Sequence, residues 1–154
     1  MPSPKRLLSR LLFAWFAFVL GAVGYALLVG RRTVPTPHPE DEEIDIAVAF
    51  GELAFASTSA AFRGGRVSTS FGGGVLDLSA ATMADGQATL RLEAIFGGGQ
   101  LIVPDDWRVE LRTRSVFGGV GEGRPSRERS DDAPLLTITG LALFGGWGVT
   151  GPNG

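Results

Sequence analysis

The sequence contains no cysteine, one histidine and one lysine. Without cysteine, disulfides and thiolate metal sites are excluded as ways of holding the chain together, and no redox compartment is marked. His38 stands alone in the proline-rich run TVPTPHPEDEE, which removes histidine-based triads and multi-histidine metal sites. Lys5, at the far N-terminus, is the sole lysine, so none of the glycine clusters is completed as a phosphate loop of the Gly-Lys-Ser/Thr type. Acidic side chains are missing from the first 32 residues and basic ones are outnumbered after them. Beyond residue 32, nine arginines face sixteen Asp and Glu, a net of −7. That balance does not suit nucleic acid as a partner.

What the N-terminus does have is a run of 20 uncharged residues, LLFAWFAFVLGAVGYALLVG, from Leu11 to Gly30. As a helix it would reach about 30 Å, the hydrocarbon thickness of a bilayer. Lys5, Arg6 and Arg10 precede it, and Arg31 and Arg32 follow. The run is read as one uncleaved transmembrane helix over 11–30 in contact with membrane lipid, with a cleaved signal peptide ending near Ala22-Val23-Gly24 as the rival. The excess of positive charge before it predicts a cytoplasmic basic segment, 1–10, and a single-pass protein of the bacterial cytoplasmic membrane with its C-terminal domain outside. Residues 31–43, proline-rich and acidic, read as a linker. The domain proper is expected over 44–150, with a tail at 151–154.

Within that domain a Phe followed by two or three glycines occurs four times, at Phe71, Phe96, Phe117 and Phe144. With Phe50-Gly51 as a degenerate first copy, the spacings are 21, 25, 21 and 27 residues. Apolar residues precede each Phe in steps of two, as in Leu90, Leu92 and Ala94, and charged residues such as Arg91 and Glu93 alternate with them. This is the pattern of a strand with one buried face, and it places the Phe on that face. The parity continues past the glycines through Leu76 and Leu78, Leu101 and Val103, and Trp147 and Val149. Turn residues close each repeat at Asp85-Gly86 and Pro104-Asp105-Asp106.

The repeat therefore predicts an all-β fold: a short right-handed β-solenoid of Phe-Gly-Gly coils, preceded by the membrane helix. Phe71, Phe96, Phe117 and Phe144 would stack as an internal ladder, and Gly72, Gly97, Gly118 and Gly145 would let the backbone bend beside it. A sandwich of short antiparallel strands is the alternative architecture.

Four segments in order, FGGGVLDL, AIFGGGQLIVPDDW, VELRTRSVFGGV and GLALFGGWGV, resemble the C-terminal domain of LiaF-like cell wall-active antibiotics response proteins, related to the toast-rack group of bacterial β-solenoids. The likeness covers roughly residues 62–150. It implies a non-catalytic module of bacterial envelope-stress sensing or response, with a sensor kinase or another envelope protein as partner. The LiaF type carries several membrane spans before this domain, where a single run stands here.

No nucleophile, base or metal constellation stands out, and no cofactor is called for. Asp105, Asp106 and Arg108 are the nearest approach to the carboxylate pair of a carbohydrate-active β-helix enzyme, a remote alternative, because adjacent Asp residues in a turn diverge. The candidate partner surface is basic: the outward row Arg91, Arg112 and Arg114, with Arg124, Arg127 and Arg129 in the charged insertion 121–134. A structural, self-associating protein is a further alternative, since the ends of a solenoid expose strand edges.

Overall fold

The computed structural model describes residues 14–21, 24, 36–125 and 129–153, and the chain divides into two compact units, Met1–Thr33 and Val34–Gly154. Among the described residues of the first unit, 14–21 and 24 are helical. Among the described residues no helix is long and apolar enough to cross a membrane. The expected transmembrane helix over 11–30 is corrected accordingly, and with it the single-pass location in the cytoplasmic membrane. Gly21 and Gly24 lower the helix propensity of the run, each costing a helix interior about 1 kcal/mol relative to alanine, although both are themselves helical. The rest of 11–30 and the basic segment 1–10 lie outside the described residues.

The second unit is all-β. Its strands are β1 (Glu43–Val48), β2 (Gly51–Ala56), β3 (Gly64–Thr69), β4 (Gly72–Asp77), β5 (Gln87–Ile102), β6 (Arg108–Glu122) and β7 (Leu135–Thr150). All pairings are parallel. The first two repeats break at the Phe into separate strands. Phe71 itself takes the left-handed region there, with φ +57°. In β5, β6 and β7 the strand runs unbroken through the Phe-Gly-Gly corner. The result is one nearly closed parallel sheet whose two halves share a single core.

Register fixes the core rows. Ile44, Gly65, Leu90, Ile138 and Leu111 align across the first half, and Phe55, Leu76, Leu101, Val149 and Glu122 across the second. Leu90, Leu101, Ile138 and Val149 are fully buried, so the period-two alternation does mark the inner face. Trp107, in the turn closed by its N–H donating to the Pro104 carbonyl, is buried and stacks on Phe62 with ring centroids 6.2 Å apart. Residues 38–41 form a turn in which the His38 N–H donates to Asp41 Oδ2, and the Pro39 carbonyl accepts from Thr58 N–H.

Two further expectations are corrected. A solenoid lays each coil on its predecessor, but here β7 pairs with both β5 and β6, so the last repeat lies between the third and the fourth. The side chains account for the order. On the rows where β5 has Leu92 and Ala94, β6 has Thr113 and Ser115, whose hydroxyls suit the end of the sheet better than its middle. Trp147 of β7, in turn, lies against Gly99 of β5, where a Cβ would meet the indole.

The phenylalanines do form a ladder, Phe50–Phe71–Phe96–Phe144–Phe117, with near-parallel rings 4.8–5.2 Å apart. It is external. Phe50, Phe117 and Phe144 are 57%, 65% and 41% exposed. The backbone turns at the following glycine, with φ +131° at Gly97, so the Phe leaves the inner face at the position where alternation would have kept it there. Gly72, Gly97, Gly145 and Gly118 lie in one row beside the ladder, so closely spaced that a Cβ on any one would run into the carbonyl of the next strand.

Candidate interaction surface

β6 is the end strand of the sheet. Its inner neighbour is β7, and among the described residues no strand pairs with its outer edge. None of its 15 residues is buried, and Val116 and Phe117 are 62% and 65% exposed. Long, unpaired and partly apolar edges are templates for pairing with another chain.

Register places the predicted basic residues on adjoining rows of the outer face. Asp45, Arg66, Arg91, Thr139 and Arg112 form one row, and Ala47, Ser68, Glu93, Leu141 and Arg114 the next. Arg66 was not singled out from the sequence, although it stands at the same 25-residue offset from Arg91 that separates Phe71 from Phe96. Each of two arginines meets an acid two residues along its own strand: Arg91 Nε donates to Glu93 Oε1 at 2.6 Å and Arg112 Nε to Glu110 Oε1 at 2.8 Å. The face is a lattice of alternating charge more than a bare basic patch.

Glu93 is the centre of that lattice. Burial pushes its pKa up, but hydrogen bonds from Arg91 Nε and Ser68 Oγ, with the charges of Arg91 and Arg66, outweigh this and hold the carboxyl below its usual range. The Arg112 guanidinium is raised by its hydrogen bond with Glu110 and by that carboxylate's charge. At the opposite end of the sheet, Arg63 joins Glu42 at 3.0 Å and Asp85 at 2.9 Å, and these two hold its pKa up.

The insertion behaves differently from a solvated loop. Arg124, expected on the partner surface, has a fully buried side chain, because its guanidinium is consumed internally. It donates to the Glu122 carboxylate, to the Pro104 carbonyl at 3.0 Å and to the Trp107 carbonyl at 3.1 Å. It therefore clasps the Pro-Asp-Asp turn and is no docking residue. Arg129 Nε donates to the Asp105 carbonyl at 2.9 Å and is only half exposed. A hollow of about 220 Å³ lies beside it, walled in part by Asp105 and Asn153. Arg127 lies outside the described residues. Asp105 and Asp106 are exposed on their turn, and Asp77 accepts from the Ser79 N–H in another. Among the described residues no group of three or more His, Asp or Glu is placed to hold a metal ion.

No family model matches the chain, and no solved structure matches it. Two uncharacterized proteins of Mycobacterium tuberculosis are similar to it: one from strain CDC 1551 / Oshkosh, 33% identical over 86 residues, and one from strain H37Rv, 31% identical over 86 residues. The match takes in 53% of this chain and 40% of each relative, so the chain spans about two fifths of the length of the curated relatives it matches.

Proposed function

We propose that the chain is a non-catalytic module of bacterial cell-envelope stress sensing or response that acts through protein–protein contacts. The observation that carries this is β6, fifteen residues long, without a buried residue and with an unpaired outer edge. Main-chain pairing along such an edge supplies affinity, and the exposed side chains beside it supply selectivity. The stress assignment rests on the LiaF-like resemblance of the Phe-Gly-Gly repeats, which makes a sensor kinase or another envelope protein the expected class of partner. Similarity to mycobacterial proteins favours a bacterial setting.

The test is deletion of the gene, with sensitivity and stress-promoter output measured under cell wall antibiotics, followed by complementation. Deletion should change both readouts. The double variant Asp105→Asn, Asp106→Asn should complement, whereas charge reversal at Arg91, Arg112 and Arg114 should not. No change on deletion would remove the reading, and rescue that depends on the Asp pair in a stably folded protein would favour an enzyme.

A further inference from the structure

Among the described residues the sheet has two open edges, and they match each other. At one end lies the outer edge of β6; at the other lie the outer edges of β1 and β2, which pair inward with β3 and β4. We infer that the chain assembles head to tail, β6 of one copy adding in parallel to β1 and β2 of the next. The inference rests on the reading of the chain as a protein-contact module and names a second copy of the chain as a partner.

Three observations point to this occupant. The first is charge. The first half of β6 presents Arg108, Glu110, Arg112 and Arg114, a net of +2, and β1 presents Glu43 and Asp45, a net of −2. Carrying the internal register one strand further aligns Arg112 with Asp45 of the next copy, because both belong to the row that runs through Arg66, Arg91 and Thr139; the same register sets Glu110 beside Glu43, so the attraction rests on the Arg112–Asp45 pair and the net charges of the two edges.

The second is the ladder. The same register sets Phe117 of one copy over Phe50 of the next, and these two end rings, at 65% and 57%, are the most exposed of the five. Each lacks on one side the stacked neighbour that every interior ring has on both.

The third is steric. Glycines after the corner are required inside the sheet because a Cβ would strike the adjacent strand. A Cβ on Gly98 would meet the Gly146 carbonyl, and one on Gly146 would meet the Gly119 carbonyl. Continuing outward, a Cβ on Gly119 would meet only Ser115 Oγ, at 4.0 Å. In the opposite direction, Gly118, Gly145, Gly97 and Gly72 each face the next strand's carbonyl, and the series ends at Gly51, which faces open space. Among the described residues of one chain nothing crowds Gly119 or Gly51. In the head-to-tail register the Glu52 carbonyl of the next copy lies where a Gly119 Cβ would project, and the Gly118 carbonyl lies where a Gly51 Cβ would. Both end glycines then have the close approach that the interior ones have.

A contact between two different edges does not close on itself, so the product is an open-ended series and not a symmetric pair. Sedimentation velocity of the full chain over a range of concentrations is the test. The weight-average mass should climb past two copies and fall when salt is raised. Gly119→Val has room within one chain, so it should hold the mass at one copy while keeping the parent's unfolding midpoint, measured at a concentration where the parent too is a single copy. Arg112→Glu should also abolish association, and adding Asp45→Arg to it should restore association. A parent protein that stays a single copy throughout overturns the inference, as does association that stops at two copies or survives Gly119→Val. The mass readout is independent of the deletion phenotype: assembly without a stress phenotype removes the functional reading alone, and a phenotype without assembly removes this one alone.

Discussion

Replacing Phe96 by alanine removes the middle rung of the external ladder and leaves the inner core untouched. Phe96 stacks on Phe71 at 4.9 Å and on Phe144 at 4.8 Å, the latter with ring planes 3° apart. An aromatic pair contributes about 0.5–1.5 kcal/mol beyond area burial, so two lost pairs amount to about 1–3 kcal/mol. Truncating a half-buried ring forfeits about 1 kcal/mol more of hydrophobic burial. The expected cost is about 2–4 kcal/mol in all. Phe117 has a single stacked neighbour, Phe144 at 5.2 Å, and is largely exposed. Its truncation should cost only about 0.5–1.5 kcal/mol. Urea unfolding of the full chain, at a concentration where its mass is that of one copy, measures both. A double-mutant cycle on Phe96 and Phe144 should return a coupling of about 0.5–1.5 kcal/mol. Equal costs at Phe96 and Phe117, or a coupling indistinguishable from zero, would refute the view that stacking and not burial sets the contribution of each ring.

The clasp around the Pro-Asp-Asp turn gives a second expectation: Arg124→Ala strands the Glu122 carboxylate and two carbonyls and should cost about 3 kcal/mol in urea melts, while Arg124→Lys should recover little, because the donors of an ammonium all sit on one nitrogen and do not reproduce the planar fork that reaches Glu122 on one side and the two carbonyls on the other. A midpoint for Arg124→Ala within error of the parent's would show the clasp to be dispensable. Acid stability gives the third. Glu93 has a lowered folded pKa, so its contribution is complete above the unfolded value of about 4.3 and is lost as pH falls through the folded value. Glu93→Gln should therefore flatten the acid limb of the plot of stability against pH and leave its slope near neutrality unchanged; an acid limb identical to the parent's would contradict this.

Much of the strand layout was legible in the residues. Alternation marked Leu90, Leu92 and Ala94 as inward, and after the glycines Leu101 and Val103, all of them buried. Turn chemistry marked Pro104–Asp106. Alternation says which face a residue occupies only while the chain is straight, and at the Phe-Gly-Gly corner it is not, so alternation alone puts the ladder on the wrong side. Nor does a repeat disclose the order in which its copies stack, since each copy offers its neighbours nearly the same edge. That order is decided by fine differences such as Trp147 against Gly99. Arg124 escapes the sequence for another reason. The segment GEGRPSRERSDDAP has the composition of a solvated loop, and only the contacts of one guanidinium with Pro104 and Trp107 reveal it as a buried clasp.

The insertion of β7 between β5 and β6 sets a problem of timing for a chain made from its N-terminus. When Arg108–Glu122 has been synthesised, its final neighbour, Leu135–Thr150, has not, and the edge of β5 stands open beside it. β5 and β6 share the Phe-Gly-Gly register, so β6 can occupy that edge as a decoy with its own Phe117 over Phe96. Leaving it requires breaking a whole ladder of main-chain bonds before β7 can enter. Kinetic partitioning between two orders of the same strands is the consequence. Refolding of the complete chain should then show a slow phase absent from a circular permutant in which Leu135–Thr150 precedes Arg108–Glu122, and equal rates for the two would show that the decoy is never populated.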